Sequence, residues 1–334
     1  MRAVVYDAVG APPQIRELPA PACPPDGAVI DVRATGLCRS DWHAWRGHEP
    51  VPLPHVPGHE FAGVVREAGP SVTGFRPGDR VTAPFVNGCG TCEFCRAGAA
   101  QVCPDQTQPG FSHPGSFAEQ VVVRAAETNL VRLPDELDFV AAAALGCRFA
   151  TAFRALTGHG PVADDTVVAV YGCGGVGLSA VMIAAALRLR VLAVDPSPAA
   201  AALAASLGAV AVHEIVDEAD IAIDAYGSAA TAEASVRSLR RGGRHVQVGL
   251  MLGADARAPL PWDLVVAREL HVVGSHGMAA ADYPPMLRLV ASGALRPDRL
   301  VGSVIPLEAI GVALTTMDSP IPGHAGIVVA THGE

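Results

Sequence analysis

The sequence predicts a doubly wound parallel α/β unit inserted into a mainly antiparallel, barrel-like β-domain, and three observations predict it. The first 130 or so of its 334 residues alternate short β-like runs with Gly/Pro turns. From about Asp138 short apolar strands alternate with helices. After about Ser275 the mixed texture returns. Many short strands with regular turns point to an antiparallel domain, and strand–helix alternation points to a parallel sheet covered on both faces. The middle therefore reads as an insert, with 1–148 plus 277–334 as one unit and 149–276 as the other. The chain is long enough for two cores.

In order, the first unit offers β-like runs at Ala28–Ala34, Phe61–Arg66, Arg80–Ala83 and Phe117–Val123. Gly69-Pro70 and Pro77-Gly78-Asp79 supply turns between them. Phe139–Leu156 reads as one long Ala-rich helix. The insert then runs strand Thr166–Val170, helix Val176–Leu187, strand Val191–Val194, helix Pro198–Leu207, strand Ile221–Ala225, helix Ala229–Leu239 and strand His245–Val248. Helices at Tyr283–Ser292 and Leu307–Thr316 and a strand at Gly326–Val329 close the chain. There is no internal repeat.

Composition narrows the function. A net charge of −9 argues against a nucleic-acid partner. All 24 basic residues are arginines, a compositional bias without functional weight. The N-terminus lacks the apolar core of a signal peptide, so a cytoplasmic protein is expected. Val167–Leu187 is uncharged and long enough to span a bilayer, but four glycines interrupt it. A buried strand, a glycine turn and a buried helix explain it better, and no membrane partner is expected.

Gly172-Cys173-Gly174-Gly175-Val176-Gly177 fits G-x-G-x-x-G between a strand and a helix, the context of a dinucleotide-binding (Rossmann) turn. The first glycine permits the turn, the second lets backbone approach a pyrophosphate, and the third lets helix and strand pack closely. The helix N-terminus offers free N–H groups and partial positive charge to the phosphates. Asp195 ends the next strand, where a carboxylate accepts the adenosine ribose hydroxyls and repels a 2′-phosphate. NAD is therefore favoured over NADP.

Of eight cysteines, Cys89, Cys92, Cys95 and Cys103 share one short turn-rich lobe. Four thiolates so close suggest a closed, structural zinc site that staples a segment with little core. Two disulfides or an iron–sulfur cluster are the alternatives, though the spacing differs from ferredoxin runs. Three further pieces are dispersed: Gly36-Leu37-Cys38-Arg39-Ser40-Asp41-Trp42-His43, Gly58-His59-Glu60, and Leu145-Gly146-Cys147. Each is weak singly.

Together these anchors, in this order, resemble the zinc-dependent medium-chain alcohol dehydrogenase family over nearly the whole chain. The resemblance implies a GroES-like catalytic domain holding a Rossmann domain, and NAD(H)-linked interconversion of a primary or secondary alcohol with its aldehyde or ketone. It implies two Zn2+ per chain. Cys38, His59 and Cys147 would ligate the catalytic zinc, with an open fourth position, and Glu60 is an acid beside the shell that can enter it. Asp41 would orient the histidine ligand. The zinc would lower the pKa of the bound alcohol as hydride passes to nicotinamide. Ser40 would take the proton and His43 would deliver it to solvent. Arg39 matches a position that contacts the cofactor pyrophosphate, and Thr151 one near the nicotinamide. A homodimer or homotetramer joined through the Rossmann domain is implied. Trp42, Trp45 and Phe85 are candidate pocket walls; His48, His55 and His113 have no assigned role.

Two features depart from the family. Only about a dozen residues separate Leu207 from Ile221, so a helix on one face of the sheet reads as deleted. The basic residue that often follows the ribose carboxylate is Ala200 here. Two rival readings remain: a zinc-containing relative that reduces an activated C=C bond, and a catalytically silent cofactor-binding or sensor protein.

Overall fold

The computed structural model describes residues 1–215, 219–319 and 326–332. Two large sheets organise them. The first has six parallel strands in the order Val210–Ala211, Arg190–Val194, Val167–Tyr171, Ala219–Asp224, Leu239–Gln247, His271–Gly274. Its central strands are apolar on both faces because helices cover both. Helix starts follow local chemistry. Ser197 caps Pro198–Ser206 by accepting from the Ala200 N–H, with proline at the first position. Ser228 caps Ala229–Arg237 by accepting from the Thr231 N–H.

Among the described residues no helix lies between Ser206 and Ala219, only the two-residue strand Val210–Ala211. Residues 216–218 of that shortened interval lie outside the described ones. The uncharged Val167–Leu187 stretch resolves into a strand, the glycine turn and the helix Gly175–Ala186. Among the described residues no helix is long and apolar enough to cross a membrane.

The second sheet runs Val301–Pro306, Ile327–Thr331, Ala28–Leu37, Glu60–Ala68, Arg80–Thr82, Val131–Arg132, with Gln120–Val123 also paired to Ala28–Leu37. All its pairs are antiparallel except the first. Its strands come from before residue 133 and after residue 300, so the chain leaves this sheet, builds the other and returns. One pair positions the chemistry. Ala28–Leu37 and Glu60–Ala68 run antiparallel with Gly36 opposite Glu60. Cys38 just beyond the end of one strand and His59 just before the start of the other therefore emerge at the same end of the ladder.

The expected single helix over Phe139–Leu156 is not one helix. It is α over Phe139–Ala143, a π turn over Leu145–Phe149 and α again over Ala150–Thr157. Asp138 caps it, accepting from the Ala141 N–H at 2.9 Å. A π turn inserts an extra residue into helical register, and such turns recur at functional sites. This one carries Cys147 toward the strand ends that hold Cys38 and His59. The smaller differences are at element ends: within the Phe117–Val123 run the strand spans Gln120–Val123, and the last strand is Ile327–Thr331.

Candidate active site

Cys38 ends its strand and caps the helix Arg39–Trp45. Asp41, in that helix's first turn and fully buried, accepts three donors: the Cys38 N–H at 3.0 Å, the Gly58 N–H at 3.0 Å and His59 Nδ1–H at 2.9 Å. A histidine whose Nδ1 carries the proton has a free lone pair on Nε2. His59 Nε2 is buried and has no hydrogen-bond partner. It faces two buried thiols, and the ligand atoms of Cys38, His59, Glu60 and Cys147 all lie within 4.8 Å of one another. A buried, unpartnered imidazole nitrogen is costly unless something fills it. One nitrogen and two sulfurs converging on an open cleft are the donor set of zinc with a vacant fourth position, so these residues fit that metal.

The electrostatics belong to the cluster. Burial lowers the pKa of His59, but Asp41 and Cys38 outweigh it and raise it well above its usual value, so a cation taking the Nε2 lone pair would displace a proton from this cluster. The proton shared with Cys147 keeps Cys38 well below the ordinary thiol range, and Cys147 rises correspondingly. One feature was not foreseen from the sequence. Arg148, beside Cys147 and buried, donates to Glu60 Oε1 through its N–H at 3.0 Å and its Nε at 2.9 Å. It also donates to Glu60 Oε2, and to the Leu37 carbonyl at 3.0 Å. Burial pushes the Glu60 carboxyl up while Arg148 pulls it down. Glu60 thus stands behind the ligands, engaged by a guanidinium rather than turned into the cleft.

Cys38, His59, Cys147 and Arg148 floor a cleft of about 1750 Å³. Ser40, His43, Thr151, Arg39, Trp42 and Phe85 line it, and so do Gly172, Gly174, Gly175, Val176 and Asp195. Gly177 does not; a Cβ there would sit 1.8 Å from the Gly172 carbonyl, which is why helix and strand can touch. Gly172 has φ +89°, a turn only glycine takes without strain. Nothing lies within 4 Å of where a Gly174 Cβ would project, so backbone is open to the cleft there. Asp195 accepts the Cys173 N–H at 2.6 Å and the Ser197 N–H at 2.8 Å, which fixes its carboxylate at the cleft edge. These positions fit a dinucleotide.

Other expected residues fall as follows. Ser40 Oγ lies 3.8 Å from Cys38 Sγ. His43 Nδ1 lies 2.9 Å from His48 Nδ1, and His48 is exposed. Arg39 pairs with Asp318 at 3.1 Å and stacks over Trp42. The Thr151 hydroxyl is buried without a partner. Trp45 is not a pocket wall. It packs in the core beside Trp42 and Phe117 and donates to the Ala11 carbonyl at 2.8 Å. Phe111, which no sequence motif points to, stands 5.2 Å from the His59 ring, and Phe85 stands 6.0 Å from it.

The other cysteine cluster is separate. The ligand atoms of Cys89, Cys92, Cys95 and Cys103 lie within 4.8 Å of one another, and none is in a disulfide. Backbone N–H groups of Cys89, Thr91, Cys92 and Cys95 point at the sulfurs, at 3.3–3.4 Å. Hydrogen bonds from Thr91 lower Cys89 to about 6, favouring thiolate. Asn129 ties the lobe down by bonding both the N–H and the carbonyl of Gly88.

Comparison with known proteins agrees with this geometry. Residues 24–135 match the family model described as alcohol dehydrogenase GroES-like domain, and residues 175–292 the one described as zinc-binding dehydrogenase. An alcohol dehydrogenase of Geobacillus stearothermophilus is 34% identical over 93% of this chain and 94% of its own. The solved alcohol dehydrogenase TADH from Thermus sp. ATN1 superposes with a TM-score of 0.89 at 31% identity, covering 100% of both chains. A Sinorhizobium meliloti 1021 structure bound to NADP superposes at 0.88 with 28% identity, covering 99% of this chain and 98% of the other.

Proposed function

The chain belongs to the zinc-dependent medium-chain alcohol dehydrogenase family, and from that premise we propose that it interconverts a primary or secondary alcohol with its aldehyde or ketone at the Cys38–His59–Cys147 cluster, using NAD(H). The observation that carries this is the buried, unpartnered His59 Nε2 facing two thiols at the floor of a cleft whose rim is the open glycine turn.

Cys38, His59 and Cys147 would hold the zinc, and Cys89, Cys92, Cys95 and Cys103 a second, structural one. Zinc held in the first site would supply a Lewis acid that makes an alcohol more acidic, and a nicotinamide in the cleft would supply the hydride acceptor. The protein's own residues do the rest. The Cys38 and Cys147 thiolates would balance the metal's double charge. Asp41 fixes the His59 tautomer. Arg148 holds Glu60 in place behind the ligands. Phe85, Phe111 and Trp42 line the cleft and would give the substrate's carbon skeleton an apolar wall. Ser40 Oγ would accept the alcohol proton as its own hydroxyl proton leaves toward His43. His43, which lines the same cleft, passes it through Nδ1 to His48 Nδ1, which is open to solvent. Asp195 would receive the ribose hydroxyls, and its negative charge argues for NAD over NADP. Arg39 would release Asp318 to meet the pyrophosphate, and Thr151 would meet the nicotinamide.

We place the catalytic unit at 1–148 plus 277–334 and the cofactor unit at 149–276, and assign the protein to the cytoplasm as a homo-oligomer joined through the cofactor sheet. Metal analysis together with an alcohol and aldehyde panel, run with each cofactor, tests the reading. The expected result is two zinc ions per chain and faster turnover with NAD. A chain holding only the lobe metal, or inert with every alcohol and aldehyde, refutes it.

A further inference from the structure

Four carboxylates line the cleft: Glu49, Asp195, Asp255 and Asp318. Three are engaged. Asp195 accepts two backbone N–H groups, Asp255 accepts the Ala229 N–H at 3.2 Å, and Asp318 pairs with Arg39. Glu49 has no hydrogen bond and no ion pair with any described residue. It follows His48 in the loop beyond the helix Arg39–Trp45 and is only partly exposed. The 2.9 Å contact of neighbouring His48 with His43 ties its loop to the helix that starts after Cys38, which sets Glu49 at the metal end of the cleft it lines, within reach of the charges of His59 and Cys38. It does not belong to the ligand cluster.

A partly desolvated carboxylate without a partner is a cost that a ligand's donor would relieve. Cofactor phosphates are anionic and would be repelled by it. The remaining occupant of this end is the substrate. Phe85 and Phe111 beside His59 offer apolar contact for a carbon skeleton, and Glu49 offers it an acceptor.

We infer that Glu49 sets substrate specificity, favouring alcohols that carry a second hydrogen-bond donor, hydroxyl or ammonium, beyond the reacting carbinol. This rests on the dehydrogenase reading of the same site. A pocket acceptor left unpaired by a plain alkanol discriminates against it, as happens wherever a site is built to bond a substrate hydroxyl.

The test is steady-state kinetics on three carbon-matched substrates: butanol, a butanediol and an amino-butanol. The holoenzyme is compared with Glu49→Gln and Glu49→Leu. The wild type is expected to favour a donor-bearing substrate by roughly ten- to a hundredfold in kcat/KM, mostly through KM. Glu49→Leu should abolish that preference and improve butanol. Glu49→Gln separates the two donor classes: it keeps an acceptor, so a diol preference largely survives, whereas an ammonium preference collapses. Inhibition of butanol oxidation by a non-reacting donor-bearing analogue gives a binding readout that needs no variant. A wild type that prefers butanol, or variants that change all three substrates alike, overturn the inference while leaving the dehydrogenase standing. A wild type that turns over no alcohol refutes the dehydrogenase reading itself, and the inference with it.

Discussion

Arg148 and Glu60 form a buried ion pair directly behind the proposed zinc ligands. Removing one partner of such a pair strands the other charge, at a cost of about 3–5 kcal/mol. Arg148→Met should therefore lower the thermal unfolding midpoint and weaken metal retention. Adding Glu60→Gln should recover much of the stability; a single variant as stable as wild type would contradict the account. A second prediction concerns the proton path. Burial, His48 and Arg39 lower the His43 pKa, against Cys38 and Asp318. Lowering it keeps the imidazole neutral, and able to accept a proton, below its usual value of about 6.5. The acid limb of the kcat profile should lie beneath that value. His48→Gln removes one depressing charge and should move the limb upward; an unmoved limb would exclude His48 from the path. Little of this was legible residue by residue. Cys38, His59 and Cys147 gained meaning only from the order of the anchors. Arg148 carried a signal that passed unread: it is the one charged residue between Asp138 and Arg154, and a lone charge in an apolar helical run needs a partner. Glu49 carried none, because a glutamate among prolines reads as a solvated turn.

At the scale of elements, the cysteine lobe and the π turn were legible to different degrees. The lobe announced itself because four cysteines in a glycine-rich run suit one closed site. Its helix Glu93–Arg96 buries no residue, so the cluster, with Asn129 beneath it, holds the segment together. Cys95→Ser, or mild chelation of this site, is expected to open the lobe to proteases and lower the unfolding midpoint. Turnover measured at low temperature should stay largely intact. A lobe that resists proteolysis without its metal would show that other contacts suffice. The π turn was illegible for a physical reason. Alanine-rich sequence favours α-helix throughout and carries no mark of the extra residue that a π turn inserts. What selects the wider turn is tertiary. Tyr283, from a helix far along the chain, donates to the Gly146 carbonyl at 3.1 Å, and Arg148 reaches across to Glu60.

For the molecule as a whole, the changes in texture near Asp138 and Ser275 foretold one sheet between two halves of another. They could not foretell the cleft, because its floor depends on strand register, with Gly36 opposite Glu60, and its rim on the glycine turn. Nor could they locate the open edge of the parallel sheet. Among the described residues that sheet ends at His271–Gly274, with no strand paired beyond it. Val272 on that strand is 39% exposed, and on the preceding helix Trp262 and Val266 are 58% and 77% exposed. An unprotected edge beside an apolar patch favours addition of another strand. A second copy related by a two-fold axis can pair its own edge antiparallel to this one and cover the same patch, so the contact closes at two chains. A stable contact of this kind buries about 1,200–2,000 Å² in total. Sedimentation should therefore find a dimer, or a tetramer built from dimers, and the unfolding midpoint should rise with protein concentration, since association stabilises the folded chain. The pair Val266→Asp and Val272→Lys puts charge on the patch and the edge without touching the cleft. It should yield a monomer whose midpoint is lower and independent of concentration. A wild type that sediments as a monomer at micromolar concentration, or a doubly charged variant that remains a dimer, would show that the edge is not where copies of this chain meet.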